Sequence, residues 1–351
     1  MNNIMESKIE TQPIKLSKED FESDQMVKWC PGCGDHAILR SVEAVFPVVG
    51  EKLGLKKEEF VVVSGIGCSS RFPYYMNTYG IHGIHGRAAA LATGIKVANP
   101  KLNVWMISGD GDSMAIGGNH FIHVARRNVD ITYLMFNNRI YGLTKGQYSP
   151  TTFKGQKTKT SPQGVFDQPF NPGELVIGAR GKFFARVVDT NPKLMQKVFM
   201  EAAMYRGASI VEILSNCVIF NNKIHSDITG RDTKADNQLV LEAGKPMIFG
   251  KENNKGIVLD GTRLKVVTIG EDGITEDDIL VHDPTTEDAG IHMMLASMWV
   301  PEFPVALGVI RATPYETIND AIWNSIEHEK EVSPYKNVDD LLNSGNTWEI
   351  D

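Results

Sequence analysis

Short, almost wholly apolar runs alternate with segments of helical periodicity through the first two thirds of the chain. The apolar runs predict strands over 60–63, 104–107, 131–136, 183–188 and 209–214. Helices are predicted over 86–98, 118–127 and 192–205, and another follows Asp35, which can cap it, because Ile38, Val42 and Val45 share one face. Apolar strands alternating with helices indicate an α/β fold whose mostly parallel sheet is covered by helices on both faces.

The polar segments suggest how the chain is divided. Residues 1–24 are polar and are expected to lie loosely on the surface, whereas 25–215 carry the α/β pattern of a main domain. The pattern weakens over 216–330, which we expect to be a smaller C-terminal domain or tail with a hairpin near 251–267 and a last helix over 318–328. Residues 331–351 form a polar tail. Residues 139–166 are predicted to be a long loop, and loops of that length are usually functional or mobile.

Composition and charge narrow the classes of function. The net charge of −7 over 351 residues argues against nucleic acid as a partner. The N-terminal residues lack the apolar core of a signal peptide, and no apolar run approaches the ~20 residues that span a bilayer. The chain is therefore expected to be cytoplasmic and not to contact a membrane. In a reducing compartment its four cysteines are expected to be metal ligands or free thiols.

One stretch has the spacing of a diphosphate site. Gly109, Asp110 and Gly111 directly follow one predicted strand, and Asn137 and Asn138 directly follow the next. Both groups therefore fall at the carboxyl edge of neighbouring strands, where open α/β sheets bind ligands. Asp110 and Asn138 offer the oxygen atoms that Mg²⁺ prefers, and the glycines let backbone N–H groups approach phosphate. The alternative is two unrelated turns, since these residue types are common in turns.

The four cysteines are placed at related positions. Cys30 and Cys33 form a C-x₂-C pair before a predicted helix, while Cys68 and Cys217 each follow a predicted strand. Free thiols, a structural zinc site and a [4Fe–4S] cluster remain open from the spacing alone. Structural zinc sites usually have two close cysteine pairs, and this chain has one. An iron–sulfur cluster tolerates scattered ligands.

Several motifs together resemble the β subunits of two-component 2-oxoacid:ferredoxin oxidoreductases. The resemblance covers about residues 25–225 and is carried by WCPGCG, IGCSSRFPYY, HGRA, GDGDSMAIGGNH, ARRN, NNRIYGLTKGQYSPTT and the single distal Cys217. It implies a thiamine diphosphate-binding fold and an oxidative decarboxylation of a 2-oxoacid with coenzyme A. It also implies an α subunit that supplies the activating glutamate, and ferredoxin as the electron acceptor.

The resemblance also implies roles for individual residues. Asp110, Asn138 and the main-chain oxygen of Ile140 would bind Mg²⁺, and all four cysteines would ligate one [4Fe–4S] cluster. Asp112 has the alternative of capping the following helix, and His82 with His85 has the alternative of a zinc pair. The residues implied to contact thiamine diphosphate are Ile66, Gly67, Cys68, Ser69, His85, Gly111, Asp112, Gly142 and Leu143.

The substrate is predicted from two cations. Arg71 follows the Cys68 turn and is expected to reach the 2-oxoacid, and Lys145 is the other cation expected to face that space. A diacid such as 2-oxoglutarate gains more from two cations than pyruvate does. The string SSRFPYYMNTYG also resembles the 2-oxoglutarate branch, so 2-oxoglutarate is favoured and pyruvate is the alternative. Arg71 has the alternative of a structural ion pair with an acidic residue across the subunit interface.

Two rival functions remain, together with a prediction about the loop. A non-oxidative thiamine diphosphate decarboxylase subunit needs no cluster, and a zinc-stabilised nucleotide-binding subunit needs no redox chemistry. Residues 139–166 contain five basic residues and no acidic one. Because ferredoxins are typically acidic, this loop is a candidate docking surface, with a solvated loop as the alternative. The basic residues are Arg139, Lys145, Lys154, Lys157 and Lys159.

Overall fold

The computed structural model describes residues 15–348 and 350, so part of the predicted N-terminal segment, residues 1–14, lies outside the described residues. The described strands are β1 Phe60–Ser64, β2 Tyr79–His82, β3 Asn103–Gly109, β4 Ile131–Asn137, β5 Phe183–Val188, β6 Ala208–Leu214, β7 Gln238–Val240, β8 Ile248–Phe249, β9 Lys255–Asp260, β10 Arg263–Thr268 and β11 Val305–Ala312. The described helices are α1 Asp35–Leu53, α2 Phe72–Tyr75, α3 Ala88–Ala98, α4 Asp110–Met114, α5 Gly118–Arg127, α6 Pro172–Gly178, α7 Pro192–Met204, α8 Ser226–Thr229, α9 Lys234–Asn237, α10 Gly290–Ser297, α11 Ile318–Val332 and α12 Val338–Leu342.

Eight strands form the main sheet, in the order β2-β1-β3-β4-β6-β5-β11-β7. The first six strands in this order pair in parallel, whereas β11 runs antiparallel to β5 and β7 pairs in parallel with β11. The five apolar runs predicted as strands are all strands of this sheet. Because β1, β3, β4 and β6 are parallel neighbours, the loops that follow them meet at one edge.

Both faces of the sheet are covered by helices. On β3, Trp105 lies in an apolar cluster with residues of α1 and α7, while the next residue, Met106, lies in a second cluster with residues of α3, α5, α6 and α10. Alternate side chains of a strand point to opposite faces, so consecutive apolar residues need two apolar layers. The predicted α/β fold with a mostly parallel sheet is confirmed.

The chain after residue 216 contributes to two sheets. It supplies β7 and β11 to the main sheet, so the predicted boundary at residue 216 does not separate one sheet from another. It also forms a small antiparallel sheet, β10-β9-β8, which contains the predicted hairpin. No described helix is both long enough and apolar enough to cross a bilayer.

The start of α1 differs from the prediction. Asp35 is the first residue of the helix, the N-cap position is Gly34, and no side chain caps the helix there. The Asp35 side chain is buried, so it is not available as an exposed cap.

Candidate functional site

A cavity of about 370 Å³ opens at the carboxyl edge of the sheet, between the loops that follow β1, β3 and β4. This volume falls in the usual range of cofactor sites. The cavity brings together every residue expected to contact thiamine diphosphate or magnesium: Ile66, Gly67, Cys68, Ser69, His85, Asp110, Gly111, Asp112, Asn138, Ile140, Gly142 and Leu143.

The side chain of Asp112 links three segments of the chain that surround this cavity. Its Oδ1 atom lies 2.6 Å from Nδ1 of His85 and accepts the backbone N–H groups of Gly86 at 2.7 Å and Ile66 at 3.1 Å. Its Oδ2 atom accepts the hydroxyl of Ser108 at 2.5 Å. Asp112 lies inside α4 and caps no helix, so the alternative of a capping role is wrong. Because a carboxylate only accepts, Nδ1 of His85 is the donor in this contact, and in the neutral ring Nε2 is then an acceptor.

Asp110 and its neighbours offer the oxygen atoms of a hard cation site. Asp110 is buried, and one carboxylate oxygen accepts the hydroxyl of Thr151 at 2.6 Å. Burial raises the pKa of Asp110. A nearby cation would therefore offset the cost of a buried negative charge. Asn138 and Ile140 line the same cavity and add an amide oxygen and a main-chain oxygen.

Gly111 is held where no side chain would fit. A β-carbon at Gly111 would lie 2.2 Å from the ring of Tyr141, whose hydroxyl donates to the Gly111 carbonyl at 3.0 Å. Glycine at this position therefore allows Tyr141 to pack directly against the backbone beside Asp110. The tight packing, the oxygen atoms and the cavity volume fit a diphosphate held by Mg²⁺.

The four cysteines lie near one another, beside this cavity. A β-carbon at Gly142 would contact Sγ of Cys68 at 3.5 Å and Sγ of Cys217 at 3.6 Å. Burial raises the pKa of the Cys33 thiol, and the charges of Asp35, Cys217 and Cys68 raise it further. Among residues 15–348 and 350, no three His, Cys, Asp or Glu side chains are close enough to hold one metal ion. The cysteines are thus grouped without forming a closed site for a single ion.

Asp35 is a site residue that no sequence pattern indicated. Its carboxyl group lines the cavity, and its Oδ2 atom is buried with no hydrogen-bond partner. Burial raises the pKa of Asp35 to about 7. Its only signal in the sequence is its position two residues after Cys33. Phe136, Tyr141, Thr144 and Gln147 also line the cavity and were not singled out.

The two predicted substrate cations lie outside the cavity. Arg71 lines a neighbouring cleft of about 380 Å³ that shares Ile66, Gly67 and Leu143 with the first cavity. No described residue forms an ion pair with Arg71. The alternative of an ion pair across the subunit interface concerns another chain and stays a prediction. Lys145 is exposed on a turn and lines neither space.

The basic loop needs one correction. Arg139 is buried, with its guanidinium 4.0 Å from the ring centroid of Phe153 and 4.8 Å from that of Trp299. Burial lowers its pKa to about 10. Arg139 is therefore not a docking charge, and the exposed cations are Lys145, Lys154, Lys157 and Lys159.

The chain is similar to proteins of one family. Residues 65–213 match the family described as thiamine pyrophosphate enzyme, C-terminal TPP binding domain. The 2-oxoglutarate oxidoreductase subunit KorB of Mycobacterium tuberculosis is 42% identical over 95% of this chain and 88% of that protein. The 2-oxoglutarate synthase subunit KorB of Archaeoglobus fulgidus is 47% identical over 58% of this chain and 75% of that protein.

A solved structure has the same architecture. It is the 2-oxoglutarate:ferredoxin oxidoreductase from Magnetococcus marinus with 2-oxoglutarate, coenzyme A and succinyl-CoA bound. It is 31% identical, with a TM-score of 0.73, over 95% of this chain and 97% of that chain. The chain belongs to the family of 2-oxoacid:ferredoxin oxidoreductase β subunits.

Proposed function

We propose that this chain and an α subunit form a 2-oxoglutarate:ferredoxin oxidoreductase. The enzyme converts 2-oxoglutarate and coenzyme A to the acyl-CoA and CO₂ and passes the electrons to ferredoxin. The observation that carries the proposal is the single cavity in which all the expected diphosphate and magnesium residues converge beside Cys68. The family membership sets the reaction class.

In this proposal the chain holds thiamine diphosphate through Mg²⁺. Asp110, Asn138 and the main-chain oxygen of Ile140 bind the cation, and Gly111 lets the diphosphate approach the backbone. Asp112 fixes His85 in the tautomer with Nδ1 protonated, so its Nε2 atom can accept a hydrogen bond from the cofactor. When bound, thiamine diphosphate supplies the nucleophilic carbon and the electron sink for decarboxylation.

The activating glutamate is assigned to the α subunit. No glutamate lines the cavity among the described residues, although thiamine diphosphate enzymes need one beside the aminopyrimidine. The exposed side chains at the mouth of the cavity, Ile66 and Leu143, are apolar and are suited to cover by a partner. The active site is therefore completed between two chains.

The four cysteines are assigned to one [4Fe–4S] cluster. Cys68 and Cys217 both lie against Gly142, which itself lines the cofactor cavity. Such a cluster supplies one-electron transfer. The closeness of Cys68 and Cys217 to Gly142 supports a cluster beside the cofactor cavity.

Arg71 is assigned to the 2-oxoacid. Its cleft adjoins the cofactor cavity, and no described acidic side chain forms an ion pair with it. An unpaired guanidinium in a cleft can bind a carboxylate bidentately. Lys145 is assigned a weaker role, since it lies on the exposed turn beside the cavity residues Leu143 and Thr144.

The test is reconstitution with the α subunit under anaerobic conditions. We expect about four irons per chain, broad absorption near ~400 nm, and coenzyme A-dependent reduction of ferredoxin with 2-oxoglutarate. The chain without its partner should not turn over any 2-oxoacid. A higher kcat/KM for pyruvate would overturn the substrate assignment. One zinc per chain in a colourless protein would overturn the redox function.

A further inference from the structure

A short segment of the long loop is buried beneath the proposed magnesium site. Ser149, Thr151 and Thr152 have at most 2% of their surface exposed, although they lie in a segment predicted to be a functional or mobile loop. The hydroxyl of Thr152 donates to the Arg139 carbonyl at 2.7 Å, and the guanidinium of Arg139 donates to the Thr151 carbonyl. Arg139 therefore forms hydrogen bonds with both a side chain and the main chain of this segment.

The Thr151 hydroxyl connects the two halves of the diphosphate motif. Its Oγ1 atom lies 2.6 Å from Oδ2 of Asp110, which follows β3, and 2.9 Å from Oδ1 of Asn137, which ends β4. Both of these atoms are acceptors, so the single hydroxyl proton is shared between them. Thr151 thereby engages one oxygen of the carboxylate and leaves the other for a cation.

A buried ion pair fixes the orientation of Asn137. The amide Nδ2 of Asn137 donates to Glu212 of β6 at 2.6 Å. This bond turns Oδ1 of Asn137 toward Thr151. Glu212 in turn accepts Nε of Arg186, on β5, at 2.7 Å, and both side chains are 1% exposed. Buried ion pairs are costly to desolvate and are weak evidence for stability. The role of this pair is accordingly one of orientation.

We propose that Thr151 is a positioning residue for Asp110. The Glu212–Arg186 pair orients Asn137, and Asn137 in turn orients the Thr151 hydroxyl. The proposal rests on the assignment of Asp110 as a magnesium ligand. Thr151 holds the carboxylate of Asp110 at the cavity through the hydrogen bond to Oδ2. It thereby sets the affinity for Mg²⁺, and through Mg²⁺ the affinity for the diphosphate.

The experiment compares Thr151→Val with Thr151→Ser in the complex with the α subunit. Mg²⁺ is titrated calorimetrically at a fixed concentration of thiamine diphosphate after chelation. Removing a charge-assisted hydrogen bond should raise the apparent Kd for Mg²⁺ by about tenfold or more in Thr151→Val. Thr151→Ser keeps the donor and should stay near the wild-type Kd. In turnover assays, Thr151→Val should raise the KM for Mg²⁺ and recover most of kcat at saturating Mg²⁺.

Two controls separate positioning from folding. Thr93→Val removes a hydroxyl that donates to the Ala89 carbonyl at 2.7 Å within α3, and it should leave the Kd for Mg²⁺ unchanged. The Tm of the metal-free complex should be similar in Thr151→Val and Thr93→Val. Thr151→Ala removes the hydroxyl without placing a methyl group against Asp110, and it replaces Thr151→Val if that variant does not fold.

The outcomes distinguish this inference from the proposed function. If the wild-type complex shows no Mg²⁺-dependent binding of thiamine diphosphate, the proposed function is wrong. If the wild type binds, Asp110→Ala does not, and the Thr151 variants lacking the hydroxyl bind with the wild-type Kd, the positioning role is wrong.

Discussion

The indole N–H of Trp29 donates a hydrogen bond to the main-chain carbonyl of Cys68 over 2.7 Å. Cys30 follows Trp29 directly, so this bond ties the N-terminal cysteine pair to the loop after β1. The same indole packs edge-on against Tyr75, with ring centroids 4.8 Å apart. The bond therefore holds together two segments that supply three of the four cysteines.

Trp29→Phe should weaken retention of the cluster more than it weakens the fold. Phenylalanine keeps most of the packing but loses a hydrogen bond of about 1 kcal/mol. We expect fewer irons per chain after anaerobic gel filtration and only a small fall in Tm. The matched control is Trp323→Phe, which removes an indole bond to the Val97 carbonyl at 2.9 Å. Equal iron loss in both variants would refute the link.

Asp110→Ala and Cys217→Ser should affect different ligands. Asp110→Ala should abolish Mg²⁺-dependent binding of thiamine diphosphate and leave the absorption near ~400 nm intact. Cys217→Ser should bleach that absorption and spare most of the cofactor affinity. Calorimetry with thiamine diphosphate and a spectrum of each variant are the measurements. Loss of both properties in both variants would indicate misfolding and remove the support for two sites.

Arg71→Lys should lower kcat/KM for 2-oxoglutarate in the reconstituted complex. Replacing a bidentate fork by a point charge costs about 1.5–3 kcal/mol, which is roughly tenfold or more in rate. Arg263→Lys, at an exposed position on β10, is the control and should have no effect. Unchanged kcat/KM in Arg71→Lys would remove Arg71 from the substrate site.

Charge reversal in the loop should slow the reduction of ferredoxin. Exchanging Lys154, Lys157 and Lys159 for glutamate should raise the KM for ferredoxin about tenfold at low ionic strength, and added salt should reduce the difference. Turnover with a neutral artificial acceptor should be unchanged. The control exchanges three other exposed lysines, Lys193, Lys197 and Lys245. If the control has the same effect, the loop is not a specific docking surface.

His225 should make the fold less stable in acid. Burial lowers its pKa to about 4, the positive charge of Arg139 also lowers it, and Nε2 of His225 donates to the Asn137 carbonyl at 3.0 Å. As the pH falls through about 6.5, His225 binds a proton in the unfolded chain, whereas in the folded chain it binds one only near pH 4. The contribution of His225 to the free energy of unfolding is fully present above pH 6.5 and falls by about 3 kcal/mol between pH 6.5 and pH 4.

The measurement is Tm against pH for the wild type and for His225→Gln. Glutamine cannot titrate, so the variant should lose less stability than the wild type between pH 6.5 and pH 4. Parallel curves for the two proteins would show that His225 does not contribute.

Local patterns in the sequence predicted most of the sheet, because five of its strands are continuous apolar runs. The strands β2, β7 and β11 were not predicted, and β7 has only three residues. In β2, Tyr79–His82, the edge position leaves most side chains exposed, so the strand has no apolar pattern. The strand β11 is an apolar run like the five predicted strands, but its antiparallel pairing with β5, more than a hundred residues away, follows only from the tertiary fold.

The sequence predicted the site residues that belong to a motif. It did not predict the residues whose burial depends on tertiary packing. Asp110 and Asn138 follow strands, so their convergence follows from a parallel sheet. The burial of Asp35 and Arg139 does not follow from any local rule, because charged residues are rarely buried without a specific partner. Arg139 gains one aromatic partner, Phe153, from its own loop and the other, Trp299, from a distant part of the chain.

The position of Gly142 has a consequence for electron flow. Gly142 lines the cofactor cavity, and a β-carbon at this position would lie 3.5 Å from Sγ of Cys68 and 3.6 Å from Sγ of Cys217. Cys68 lines the same cavity, so the space proposed for the cofactor reaches a proposed cluster ligand directly. An electron passing between the two proposed redox groups would therefore have a short path at this point, and a side chain larger than hydrogen at residue 142 would press on the two sulfur atoms that begin it.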